Sequence, residues 1–146
     1  MTDQSRYLDV LEQLEATITA PWESLSMTLD MHPFDQMGDP TIEGTGAWHL
    51  VHIATVFRTH SKHVVGVAET DKWSALPEPR AESLPMIVEV LMDDCQQFCQ
   101  WCRTNPQKCT DVDYGENQTF NAMLGVMLRH IVWHAGAVHY WCIWKS

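Results

Sequence analysis

Between Phe120 and Trp141 the residues Phe120, Met123, Met127, His130, His134, Ala137 and Trp141 recur at alternating intervals of three and four. That period gathers all seven on one face of a helix with about 3.6 residues per turn, and such a face must be covered by other elements. Two histidines stand in this row, one turn apart. The spacing predicts a terminal helix running from about Gln118 almost to the C-terminus, and it sets two imidazoles where core residues are expected.

Three further segments carry the same kind of period. Leu8, Leu11, Leu14, Ile18, Trp22, Leu25 and Leu29 predict a first helix over residues 5–29. Pro21 lacks a backbone donor and clashes with the preceding turn, so a kink or a restart is expected near Ala20. Residues 30–46 hold three Gly, two Pro and three Asp without a period and read as a long loop. Leu50, Ile53, Phe57, Val64 and Val67 predict a second helix over 47–67, with Arg58 and Lys62 falling away from the row. Residues 69–82 then form a connection long enough to run the length of a bundle. A third helix begins near Ser83, read as its N-cap, with Pro85 in its first turn. Its row is Leu84, Val88, Leu91, Cys95, Phe98 and Cys102, and Asn105-Pro106 ends it before a polar loop through Gly115. The expectation is one all-α domain spanning residues 1–146, a four-helix bundle with a long connection between its second and third helices.

Composition narrows the partners. A net charge of −10, with nine Lys and Arg dispersed along the chain, opposes binding to a phosphate backbone, so no nucleic-acid partner is expected. No uncharged apolar stretch of membrane length occurs, and Met1 to Arg6 lack the basic-then-apolar order of an export signal, so the expected location is cytoplasmic. Cys95, Cys99 and Cys102 extend an apolar row and are read as free, packed thiols rather than as zinc ligands.

On one helix face the imidazoles of His130 and His134 can converge on a metal about 2 Å from each. Buried imidazoles that bind nothing need hydrogen-bond partners, and a pair bonded to buried carbonyls or carboxylates is the bland alternative. His139 lies roughly 140° around the helix from His134, which assigns it to packing or a surface contact beside Tyr140. A third ligand must come from another element, and the second helix offers His49, His52, His60 and His63. His60 lies closest to the apolar row, while His49, His52 and His63 share a flank beside it, so periodicity leaves the choice open.

The segment from Leu128 to Tyr140, read Leu-Arg-His-Ile-Val-Trp-His-Ala-Gly-Ala-Val-His-Tyr, resembles the final helix of the DinB/YfiT-like metalloenzymes. In that family HxxxH is commonly followed two residues later by Gly, as His134 is by Gly136. The segment from Trp48 to Arg58 is similar to the family's second helix, whose third ligand is the histidine of a His-apolar-Ala element, here His52-Ile53-Ala54. The resemblance implies a DinB-like bundle and a metal triad of His52, His130 and His134. Ala135 and Ala137 depart from it, standing where Arg and Gln often flank the Gly.

Three histidines leave a metal with open positions, the arrangement of a catalytic site. Imidazole suits zinc, nickel, copper and iron alike, and zinc or nickel is expected first, with iron also suited. The resemblance implies a thiol S-transferase or isomerase acting with a low-molecular-weight thiol on a small-molecule substrate, and a homodimer. Trp48, Trp133 and Trp141 near the histidines are read as core and pocket wall. Two other classes remain: a hydrolase activating water on the same metal, with His49 as candidate base, and a non-enzymatic protein that holds a metal or small ligand.

Overall fold

The computed structural model describes residues 3–115 and 118–145. Met1 and Thr2, part of the segment read above for export, lie outside the described residues, as do Glu116, Asn117 and Ser146. The described residues form α- and 3-10 helices and no strand, as the periods predict. In chain order the α-helices are α1 (Asp3–Thr19), α2 (Leu25–Met31), α3 (Gly46–Val65), α4 (Val67–Thr70), α5 (Leu84–Thr104), α6 (Pro106–Asp111) and α7 (Phe120–Trp144). Short 3-10 turns occur at Phe34–Gln36 and Ala81–Ser83.

The four longest helices pack in a ring, with α3 against α7 and α5, and α1 against the same two. Each contributes an apolar row to a shared interior: Leu11, Leu14 and Ile18 from α1, Leu50, Ile53 and Phe57 from α3, Ile87, Leu91 and Phe98 from α5, and Leu124, Met127 and Ile131 from α7. Full burial of such a side chain contributes about 1.5–3 kcal/mol, so these rows, rather than the polar contacts, set the arrangement. Phe57 and Phe98 meet edge-to-face at 5.6 Å across α3 and α5, and Tyr7 meets Phe120 at 5.3 Å across α1 and α7. No helix among the described residues is long and apolar enough to cross a membrane.

Several sequence expectations are corrected by the packing. Pro21 produces the restart: α1 stops at Thr19, and α2 begins after Ser24, whose hydroxyl caps it by accepting from the Met27 N–H and donates to the Ala20 carbonyl. Because the chain turns there, Trp22 leaves the helical row and is 77% exposed. Val67 likewise leaves the core, since α3 ends at Val65 and Gly66 redirects the chain into α4. Ser83 does not cap α5 with its side chain; its hydroxyl donates instead to the carbonyls of Glu78 and Arg80. The segment after Asn105 is not all loop, because Pro106 starts α6 and buries Cys109.

The largest correction concerns α7. Its buried row is Phe120, Leu124, Met127, Ile131, His134, Ala135, Val138 and Cys142, so of the expected seven only Phe120, Met127 and His134 are buried. His130 is half-buried at the edge of that row. Apolar residues circle α7, with Val126, Val132, Trp133, Tyr140, Ile143 and Trp144 exposed, so two neighbouring rows satisfy the helical period and packing selects between them. The consequence is a histidine pair that straddles the boundary between core and solvent.

Candidate metal centre

Thr45 starts α3 by accepting a hydrogen bond from the Trp48 N–H, which sets His49 and His52 in the first two turns. Opposite them lie His130 and His134, one turn apart on α7. The three rings of His52, His130 and His134 converge, with centroid separations of 4.4 Å for His130–His134, 4.5 Å for His52–His134 and 4.9 Å for His52–His130. One nitrogen from each lies within 4.8 Å of the others. A tetrahedral metal at about 2.0–2.1 Å from each nitrogen requires separations of about 3.3 Å, so the rings would have to close in on a bound ion. These three residues could hold a metal ion, and they are the only such group of His, Cys, Asp or Glu among the described residues.

The hydrogen bonds bear on the bland alternative. Among the described residues no carbonyl, carboxylate or hydroxyl hydrogen-bonds His52, His130 or His134. Among the described residues His134 has one hydrogen-bond partner, His49, with Nδ1 to Nδ1 at 2.8 Å. Aromatic rings fix the cluster from outside: Trp48 stacks on His52 at 5.0 Å and 7°, and Trp133 meets His134 edge-on at 4.8 Å. Trp133 is nonetheless 65% exposed, so it forms the wall of the site rather than core.

The electrostatics favour neutral imidazoles, the form that offers a lone pair. Burial, reinforced by His130, His52 and His49, pushes the His134 pKa down to about 4. Burial and then His52 lower that of His130, with His60 a lesser cause, and burial and His52 lower that of His49. No ammonium or guanidinium figures among these causes. His49, His130 and His134 are therefore held toward the neutral form, in which each has a nitrogen lone pair free.

The other sequence candidates fall elsewhere. His60 is half-buried with its Nδ1 unpartnered, and it stays outside the group of three. His63 is exposed and bonds the Asp113 carbonyl. His139 pairs with His32 at 2.8 Å, a contact between the end of α2 and α7 that periodicity had no means of showing. Cys95, Cys99 and Cys102 are free and buried, and hydrogen bonding among thiols, followed by burial, pushes the Cys99 and Cys102 thiols far up. They are core residues, and no cysteine joins the three histidines.

Two open cavities of about 380 Å³ flank the cluster. One runs along Trp48 and His52 and is lined by Thr41, Thr55 and Glu78. The other runs along His49 and Trp133 and is lined by Tyr140, Trp141 and Lys145, over a floor of Gly136 and Ala137. Compared with family models, curated proteins and solved structures, the chain matches none.

Proposed function

We propose that this chain is a DinB/YfiT-like four-helix bundle whose His52, His130 and His134 hold a divalent metal, zinc or nickel first, and that it transfers a low-molecular-weight thiol to a small electrophile. The observation that carries this reading is the convergence of three imidazoles that no carbonyl or carboxylate of the described residues engages. Three protein ligands leave positions for an exchangeable group, as catalytic sites do. When bound, the metal would lower the pKa of a coordinated thiol and hold it as thiolate.

The chain's own residues have separate tasks. His52, His130 and His134 present lone pairs, and Trp48 and Trp133 hold two of the rings in place by stacking and edge contact. Thr41, Thr55 and Glu78 offer hydrogen bonds to the polar body of a small thiol in the cavity beside His52. The aromatic cavity beside His49 accepts the apolar body of the second reactant. The same reading makes the chain a cytoplasmic homodimer, and the exposed Val132, Tyr140, Ile143 and Trp144 on α7 are the surface that supports the dimer.

Elemental analysis of tag-free protein tests the first part, with close to one divalent metal per chain expected. Cobalt-substituted protein titrated with cysteine, glutathione or bacillithiol tests the second. A sulfur-to-metal charge-transfer band should grow with added thiol and be absent before it. A metal site that holds cobalt and shows no band with any thiol would leave the hydrolase or the binding protein as the better reading.

A further inference from the structure

Two Nδ1 atoms 2.8 Å apart share a single proton, so in the His49–His134 pair one imidazole donates and the other accepts. The reading of His134 as a metal ligand decides which. His134 faces His52 and His130, and a neutral imidazole that offers Nε2 to a metal carries its proton on Nδ1. His134 is then the donor and His49 the acceptor, which leaves the proton of His49 on Nε2. His49 lies outside the group whose ligand atoms approach within 4.8 Å of one another, so it supports that group without belonging to it. Its own ring is fixed by Trp48 and Trp133, edge-on at 5.1 and 6.0 Å.

Metal-bound histidines almost always donate their second N–H to a carboxylate, a carbonyl or water. Among the described residues His134 has none of these from the protein, and an imidazole stands in the place. An imidazole acceptor fixes the tautomer and ring orientation without adding a negative charge, so the ligand stays a weaker donor than one backed by a carboxylate. We propose that His49 is the positioning residue of this centre: it accepts the Nδ1 proton of His134 and so makes Nε2 the atom that faces the metal. This rests on the reading of His52, His130 and His134 as ligands.

The test uses the tag-free full chain, stripped of metal and titrated with zinc against a chelating indicator, for the wild type, His49→Ala, His49→Gln and His52→Ala. The His49→Ala protein should keep one site per chain and lose about 10–100-fold in affinity. The His49→Gln protein, whose amide oxygen can accept the same proton, should recover part of that loss. Nitrogen-15 NMR of the zinc-loaded wild type should show His134 bound through Nε2 with a proton retained on Nδ1, a signature that loss of packing alone would not produce. If zinc binds and His134 is coordinated through Nδ1, or if His49→Ala binds as tightly as wild type, the positioning role is wrong and the metal centre stands. Loss of the whole site in His49→Ala, as expected of His52→Ala, would instead make His49 a ligand and overturn the proposal. A wild-type chain that takes up no zinc, nickel or iron overturns the metal reading itself.

Discussion

Arg58 on α3 grips Asp94 on α5 with two nitrogen–oxygen contacts of 2.7 Å, although Asp94 is 1% exposed and stands in the apolar row between Leu91 and Phe98. The same guanidinium donates to the Ser74 carbonyl and lies over the Trp73 ring, so it also ties the connection before α5 to the bundle. Burial outweighs Arg58 and leaves the Asp94 pKa raised. Removing one partner of a buried pair leaves an uncompensated charge, and Arg58→Ala should cost about 3–5 kcal/mol. Without Arg58 the carboxyl rises further and the folded form keeps a proton that the unfolded chain has released. The loss should therefore be larger at pH 8 than at pH 5.5 in urea unfolding. An equal loss at both values would mean that Asp94 finds another partner.

Single-histidine variants separate ligands from neighbours. His52→Ala, His130→Ala and His134→Ala should each abolish tight metal binding, because each supplies one of the three converging nitrogens. His60→Ala and His139→Ala should leave the metal content unchanged, since His60 stays outside the group and His139 is engaged by His32. Metal analysis after gel filtration reads this directly. Loss in His60→Ala would place the third ligand one helical row away from His52.

The helices were readable because each apolar row is one-sided enough to keep its period, and Pro21, Pro85 and Pro106 punctuate the chain where helices begin or break. On α7 this logic loses a row, since apolar residues surround the helix and Leu124 and Ile131 compete with Met123 and His130 for the interior. The ion pair was hidden by the same reasoning. Arg58 falls away from the apolar row of its helix, and nothing in a period reveals that its long side chain reaches back to Asp94. The flank shared by His49 and His52 was visible, whereas the 2.8 Å contact from His49 to His134 depends on how α3 docks on α7.

Two glycines should respond oppositely to alanine. A Cβ at Gly46 would lie 2.9 Å from Trp141 Cδ1 and 3.2 Å from the Met37 carbonyl oxygen. Trp141 also packs on Gly38, so the indole is wedged between the loop before α3 and the last turns of α7. Gly46→Ala must push that ring or the backbone aside and should destabilise by about 1–3 kcal/mol. Gly136 sits within α7, and an added Cβ would meet nothing within 4 Å. Gly136→Ala should stabilise the helix by up to about 1 kcal/mol. Thermal unfolding of both variants checks the pair. If Gly136→Ala gains stability yet weakens binding in the cavity it lines, the bare floor serves a ligand rather than the fold.

The final prediction concerns the protein stripped of metal, where the imidazole cluster should make stability depend on pH. His134 titrates near pH 4 in the folded chain, chiefly because it is buried, and His49 and His130 are lowered in the same sense. In the unfolded chain all three return to about 6.5. Above that value neither state carries the protons and the cluster is indifferent to pH. Below it the unfolded chain takes up protons that the folded one resists, so stability is lost as the pH falls from about 6.5 toward 4. Urea midpoints at pH 7.5, 6.5, 5.5 and 4.5 should be level between the first two and fall thereafter, less steeply in His134→Gln. Zinc should add stability at pH 7.5 and lose that effect over the same interval, because protonated imidazole cannot bind it. A metal-free profile as steep in His134→Gln as in the wild type would mean that other groups, such as His32, carry the pH dependence, and that the cluster at α3 and α7 opens before it resists a proton.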